Sequence, residues 1–324
     1  MAPSYPGVLH NYAPRLVAFE FAQPSTPPKP NSLLFIGGLT DGLYTVPYVE
    51  EIAKALEPTD WSLFSLVLTS SYDGWGVGSL DRDVEEIAQC VSYVRQLKTQ
   101  DDAKIVIMGH STGSQDVLHY LHSANPAPKN PDIDGLQQIV RPPVDGAIMQ
   151  APVSDREAML TGAKGSSEAQ DAWEKLVEFA QKEPARTICP IELMEKVGLP
   201  SGAPVNARRF WSLASPESPA KPAEDDLFSS DLTDERLNET FGRVASRGLL
   251  RSTLVVLYSG NDEYAPENLD KEALTQRWKR ATDAGGVKKW DDEASGVIPG
   301  ASHNVKDDGQ DFLIDRVLNY LNRV

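Results

Sequence analysis

Two cysteines in 324 residues, Cys90 and Cys189, exclude a disulfide framework and point to a reducing compartment. Positive charge is scarce as well: 31 Lys and Arg face 47 Asp and Glu, a net charge of −16. Such an excess speaks against nucleic acid or an anionic membrane as partner. No apolar run reaches the length needed to span a bilayer. Met1–Tyr5 has neither the basic nor the apolar region of a signal peptide, so a cytoplasmic location is expected. In that compartment the sequon Asn238-Glu-Thr240 is a chance match. No internal repeat is present. Histidine is limited to five positions, 10, 110, 119, 122 and 303, which narrows where imidazole chemistry can occur.

What is present is one informative turn. Ile105–Met108 is a short apolar run of the buried parallel-strand type. It enters Gly109-His-Ser-Thr-Gly113, after which Gln115, Val117, Leu118, Tyr120 and Leu121 recur at helical spacing. Strand, G-x-S-x-G and helix together form a nucleophile elbow. The glycines let the chain turn sharply, and the turn aims the Ser111 hydroxyl at a helix N-terminus, where backbone N–H groups favour a developing oxyanion.

A serine hydroxyl needs a general base, and the base needs an orienting carboxylate. His10 has no strand end to place it. His110 is too near Ser111 in the chain to swing onto it. His119 and His122, at i, i+3 on the helix leaving the elbow, look like half a metal site. No Cys, His or acidic cluster in the sequence completes a shell, so they read as partly exposed helix residues and no metal is expected. His303 follows a short apolar run, Val297-Ile298, and Gly300, ahead of a helix expected from Asp307 to Asn322. The acid candidate is Asp262, just past the buried run Ser252–Tyr258 and flanked by Gly260 and Pro266; Glu263 is its rival. The chain order Ser111, Asp262, His303 is that of the α/β-hydrolases. An oxyanion hole is expected from the glycine-rich turn after Ser32–Ile36, with Leu39 as one N–H donor and Thr112 as the other.

Strand and helix patterns alternate along the chain. Leu16–Phe21, a strand around Leu33, Ser62–Leu68 and Ala147–Gln150 read as strands, with Pro24–Pro30 a loop. Val46–Leu56 and Asp83–Leu97 read as helices, the second with Val84, Ile87, Val91, Val94 and Leu97 on one face. This implies an α/β fold with a mainly parallel central sheet and flanking helices. The alternation stops between Ser154 and Gly248. There Ser167–Gln170 fits a capping box, and helices are expected at 167–180, 190–197, 206–213 and 233–244. The organisation expected is a hydrolase core at 1–153 and 249–324 with a helical cap insertion at 154–248.

The elbow, the Asp262 loop and Gly300-Ala-Ser-His303 resemble the α/β-hydrolase superfamily. More narrowly, Gly37-Gly-Leu-Thr-Asp-Gly42, Ser71-Tyr-Asp-Gly-Trp-Gly76 and the elbow are similar to a fungal family of α/β-hydrolases that includes intracellular siderophore esterases. The resemblance implies hydrolysis of the ester bonds of a hydroxamate siderophore, fusarinine C or its acetylated form, with iron release inside the cell. The substrate is then a small-molecule ester, free or as an iron–siderophore complex, and no cofactor is required. One departure is Gly37, where a histidine often precedes the oxyanion glycine. Asp41, Tyr72, Trp75, Arg209 and Trp211 are candidate substrate contacts, the two aromatics Tyr72 and Trp75 being equally suited to a core. A thioesterase or acyltransferase would use the same triad. A non-catalytic binding protein on this scaffold would have no need of it.

Overall fold

The structure is a computed structural model and describes residues 4–23, 27–98, 100, 102–133, 135–199 and 202–324. Met1–Pro3 of the N-terminal segment and Pro24–Thr26 of the proline-rich loop lie outside the described residues. Eight strands form one sheet: β1 (Gly7–Ala13), β2 (Leu16–Phe21), β3 (Asn31–Ile36), β4 (Trp61–Val67), β5 (Ile105–His110), β6 (Gly146–Gln150), β7 (Leu254–Ser259) and β8 (Gly296–Ile298). Their spatial order is β1-β2-β4-β3-β5-β6-β7-β8. β2 pairs antiparallel with β1 and β4, and every pairing from β4 to β8 is parallel.

The helices are α1 (Tyr48–Leu56), α2 (Leu80–Leu97), α3 (Thr112–His122), α4 (Asp155–Ala163), α5 (Ser167–Lys182), α6 (Ile191–Lys196), α7 (Ala207–Ala214), α8 (Asp234–Glu239), α9 (Val244–Arg247), α10 (Lys271–Thr282) and α11 (Gln310–Leu321). The central strands are apolar along their whole length because both sheet faces are covered. Successive residues serve opposite layers: Leu34, Ile36 and Ile107 join a core shared with α2 and α3, while Leu33, Phe35 and Val106 join one shared with α1 and α11. A third cluster, with Trp75, Met159, Leu176, Phe210 and Leu213, ties α4, α5 and α7 to the turn at Tyr72–Val77.

Several expected boundaries move. β1 precedes the first expected strand; it is an edge strand with Val8 and Leu9 exposed, so it carries no core-type apolar run. α2 starts at Leu80, where the Ser79 hydroxyl accepts from the Arg82 N–H. α5 is capped by Ser166 rather than Ser167, its hydroxyl accepting from the Ala169 N–H. α11 begins at Gln310 instead of Asp307, after Gly309 in a left-handed conformation. The single helix expected at 233–244 is α8, a 3-10 turn at Phe241–Arg243, then α9. α4 buries only Met159 and Ala163 and α10 is rich in charge, so neither shows the periodicity that would reveal it. The segment 154–248 is divided in its packing. Its first part makes the third cluster, whereas Leu227, Phe228, Leu237, Phe241 and Val244 pack into the main core beside Trp278 of α10.

Candidate active site

β5 delivers Ser111 to the carboxyl edge of the sheet, and α3 leaves it. The serine backbone is held at φ 55°, ψ −122°, a region a non-glycine residue adopts only when its surroundings enforce it. Its N–H donates to the Gln150 carbonyl of β6 (3.0 Å), and its own carbonyl accepts from the Ser114 N–H (2.8 Å). The turn is sharp because Gly109 lies against Gly113, where a Cβ would sit 2.0 Å from the Gly113 oxygen.

Three of the expected residues meet. His303 Nε2 lies 2.8 Å from Ser111 Oγ, and His303 Nδ1 lies 2.8 Å from Asp262 Oδ2. Asp262 and His303 are both buried, each 5% exposed. The second oxygen of Asp262 accepts from the Tyr264 N–H, which fixes the carboxylate plane. Glu263 serves the backbone instead, since its Oε2 accepts from the His303 N–H (2.8 Å) and anchors the histidine loop. The rings of Tyr264 and His110 flank His303, with centroids 4.8 and 4.9 Å away.

His110 occupies a buried polar network that the sequence does not reveal. Its Nδ1 lies 2.6 Å from Gln150 Oε1, which also accepts from the Tyr48 hydroxyl, and the Gln150 amide nitrogen donates to Ser259 Oγ. Gln150 therefore presents its oxygen to the ring, and Nδ1 carries the proton. The Asn304 amide oxygen is placed 2.8 Å from Nε2; with the proton on Nδ1, Nε2 is an acceptor, and a half-turn of the amide would present its NH2 instead. Burial and the neighbouring His303 lower the His110 pKa to about 4, so the ring is neutral at ordinary pH.

The loop after β3 crosses directly over the serine. The Gly38 N–H donates to Asp41 Oδ2 (2.8 Å), and Asp41 Oδ1 accepts from the Thr45 hydroxyl. Leu39 follows, and Thr112 opens α3 as its first residue, where an N–H has no partner within the helix. Ser111 opens into a cleft of about 410 Å³. Leu39 and Asp41 line it on the loop side, Asp155, Ala158 and Met159 of α4 and Leu213 of α7 on the far side.

The other expected contacts do not reach this cleft. Tyr72 lies against Gly42 and accepts from the Leu43 N–H through its hydroxyl. Trp75 is 1% exposed and packs in the third cluster. Arg209 is buried, bonded to Asp225 and, through Nε, to the Trp75 carbonyl. Trp211 is half-buried on α7 and is not part of the lining; its neighbour Leu213 is. A helix of this length gives no sign in sequence of which polar residue turns inward. The shell expected to be missing around His119 exists in part: its Nε2 lies 2.8 Å from Asp81 Oδ1 and 3.9 Å from Glu224 Oε1. These acids arrive from distant segments, so spacing could not reveal them. His122 takes no part; its ring packs edge-on against His119.

Comparison with known proteins matches residues 1–322 to the family described as "Protein of unknown function (DUF1749)". The chain is 49% identical to Fusarinine C esterase sidJ of Aspergillus fumigatus, over 98% of this chain and 95% of that protein. It is 48% identical to Esterase AN6793 of Emericella nidulans, over 94% and 88%. Among solved structures, siderophore hydrolase EstB from Aspergillus fumigatus superposes with a TM-score of 0.87 at 47% identity, covering 99% of this chain and 98% of that one. Est1E from Butyrivibrio proteoclasticus, at 13% identity and a TM-score of 0.52, shares the fold. With its fold and nearly its whole length matched, the chain belongs to this family and is an enzyme with the α/β-hydrolase fold.

Proposed function

We propose that the chain is a cytoplasmic serine esterase that cleaves the ester bonds of a hydroxamate siderophore of the fusarinine C class and so assists iron release. The observation that carries this reading is the line Asp262–His303–Ser111, closed by two 2.8 Å contacts at the mouth of a cleft of about 410 Å³. Similarity to a fusarinine C esterase and a siderophore hydrolase supports the substrate class.

In this reading Ser111 Oγ attacks the ester carbonyl while His303 Nε2 takes its proton. Asp262 holds the Nδ1–H tautomer and stabilises the imidazolium. The carbonyl oxygen becomes an oxyanion, met by the N–H groups of Leu39 and Thr112. Gly38 is no rival to Leu39, because its N–H is committed to Asp41. Collapse breaks the C–O bond, and His303 passes the proton to the leaving alkoxide. Water, activated by the same histidine, then releases the acyl group from Ser111. No step calls for a metal, and iron arrives only with the substrate. Helices α4–α7 act as a cap that contacts the body of a large substrate; α4 and α7 already supply the far wall of the cleft. For the compartment, two free, buried cysteines favour a reducing environment, and no helix among the described residues is long and apolar enough to cross a membrane.

The test compares fusarinine C, its acetylated form and p-nitrophenyl acetate, with and without iron for the siderophores, on wild type and Ser111→Ala. Hydrolysis of a siderophore ester that Ser111→Ala lowers on the order of 10³-fold or more, together with loss of fluorophosphonate labelling, supports the proposal. A wild type that cleaves simple esters alone removes the substrate assignment. An active Ser111→Ala removes the serine mechanism.

A further inference from the structure

Behind the oxyanion loop lies a second, small cavity of about 20 Å³, with room for one water. Gly37–Leu39 and Thr112 wall it on the cleft side; Trp75, Asp83 of α2 and Asp116 of α3 wall it opposite. These three side chains are 1%, 2% and 5% exposed. Among the described residues, Trp75 Nε1, Asp83 Oδ1 and Asp116 Oδ1 have no hydrogen-bond partner. One unused donor and two unused acceptors around a water-sized space are the partners a single water requires.

Water does not settle the charge. Asp83, Asp116 and Asp225 are all buried around one guanidinium, Arg209, whose ion-pair partner is Asp225. Of the remaining acids nearby, Glu86 of α2 is paired with Arg82 and bonded to Thr69, whereas Asp155 of α4 accepts from the neutral Gln115 amide, which satisfies its hydrogen bonding without balancing a charge. Full ionisation of the three aspartates would leave two uncompensated negative charges in the interior, a cost that buried carboxylates avoid by holding protons.

We propose that Asp83 and Asp116 share one proton and, with a water held between them and Trp75 Nε1, form a positioning pair for the oxyanion loop whose deprotonation switches the enzyme off at alkaline pH. This rests on the serine esterase reading above. Burial and then Glu86 raise Asp83 to about 7, and burial and then Asp83 raise Asp116 well above the carboxylate range, so a proton can reside on this pair at neutral pH. Asp116 stands one helical turn beyond Thr112. Loss of the proton therefore places a further negative charge directly behind the N–H groups that must receive the oxyanion.

The experiment is a kcat/KM profile from about pH 6 to about pH 10 for wild type, Asp116→Asn and Asp83→Asn, with circular dichroism at each pH. Asparagine fixes the pair at the charge it has with one proton. Wild type is expected to lose on the order of tenfold on the alkaline side while still folded, and each variant is expected to lose that limb. A flat wild-type profile, or a limb unchanged in Asp116→Asn, overturns the proposal. Infrared difference spectra give an independent answer: the carbonyl stretch of a protonated carboxylic acid should be present in wild type at neutral pH and absent from Asp116→Asn. Its absence from wild type overturns the shared proton whatever the activity shows. An active Ser111→Ala would remove the serine reading alone, and the infrared result would still decide the proton.

Discussion

Gly38 passes so close over Ser111 that a Cβ built on it would sit 2.6 Å from the serine Cβ and 3.2 Å from its Oγ. The loop after β3 and the Ser111 side chain are thus in direct backbone-to-side-chain contact, and the space between them admits no methyl group. Gly38→Ala must lift the loop or rotate the serine, and either displaces the donor proposed at Leu39. The expected result is a kcat loss on the order of 10²-fold or more, the cost of losing one such donor. A small change in Tm would accompany it, since the loop lies outside the core. Steady-state kinetics beside thermal melts check this, and unchanged kcat would place the donor elsewhere.

The two acids after β7 are separated by what they touch. Asp262 bonds to the imidazole and Glu263 to the backbone of the same histidine. Asp262→Asn is expected to lower kcat on the order of 10³-fold or more by favouring the wrong tautomer. Glu263→Gln keeps an acceptor for the His303 N–H and should cost roughly tenfold or less, in line with one altered hydrogen bond. A reversed order would make Glu263 the orienting acid.

That Ser111, Asp262 and His303 meet is legible in the sequence because each lies just past a short apolar run that ends a strand, buried for β5 and β7 and at the sheet edge for β8, and the sheet order then brings those ends together. The position of the glycine turn after β3, over Ser111, is legible for the same reason. The surroundings are not. His110 reads as a spacer inside the elbow, yet its ring bonds to Gln150 and Asn304, residues 40 and 194 positions away. Arg209 and Trp211 stand out as large polar and aromatic residues, but burial beside Asp225 decides the role of the first. Ala158 and Met159, which do line the cleft, sit on a helix with little amphipathic pattern.

Arg209 and Ala158 therefore give opposite expectations for specificity. Arg209→Ala strands Asp225 among other buried acids, and breaking a buried pair costs about 3–5 kcal/mol. Its loss of kcat/KM should be equal for a bulky siderophore ester and a small acetate, alongside a lowered Tm. Ala158→Trp fills part of the cleft that Ser111 and His303 also line, from the α4 side. It should lower kcat/KM for the bulky ester at least about tenfold more than for acetate, because only the large substrate uses that space. Equal losses in Ala158→Trp would mean that the siderophore body lies elsewhere.

His110 contributes to the acid sensitivity of the fold. Burial, and then the nearness of His303, holds its folded-state pKa near 4, against about 6.5 in an unfolded chain. Above about pH 6.5 both states carry a neutral ring, and the stabilising environment of His110 is fully expressed. As pH falls from 6.5 towards 4 the unfolded chain takes a proton that the native ring refuses, so stability drains away with decreasing pH. At pH 5 the effect is about 2 kcal/mol. In the proposed mechanism neutrality also serves the chemistry, because a charged ring 4.9 Å from His303 would oppose an imidazolium there. Gln can bond to both Gln150 and Asn304 but cannot titrate. His110→Gln is therefore expected to lower Tm at pH 7 yet narrow the gap between pH 7 and pH 5, and to flatten the acid side of the stability curve. Melting curves of the two proteins across that range decide it. Wild-type and variant curves that run parallel would show that acid sensitivity arises from other groups.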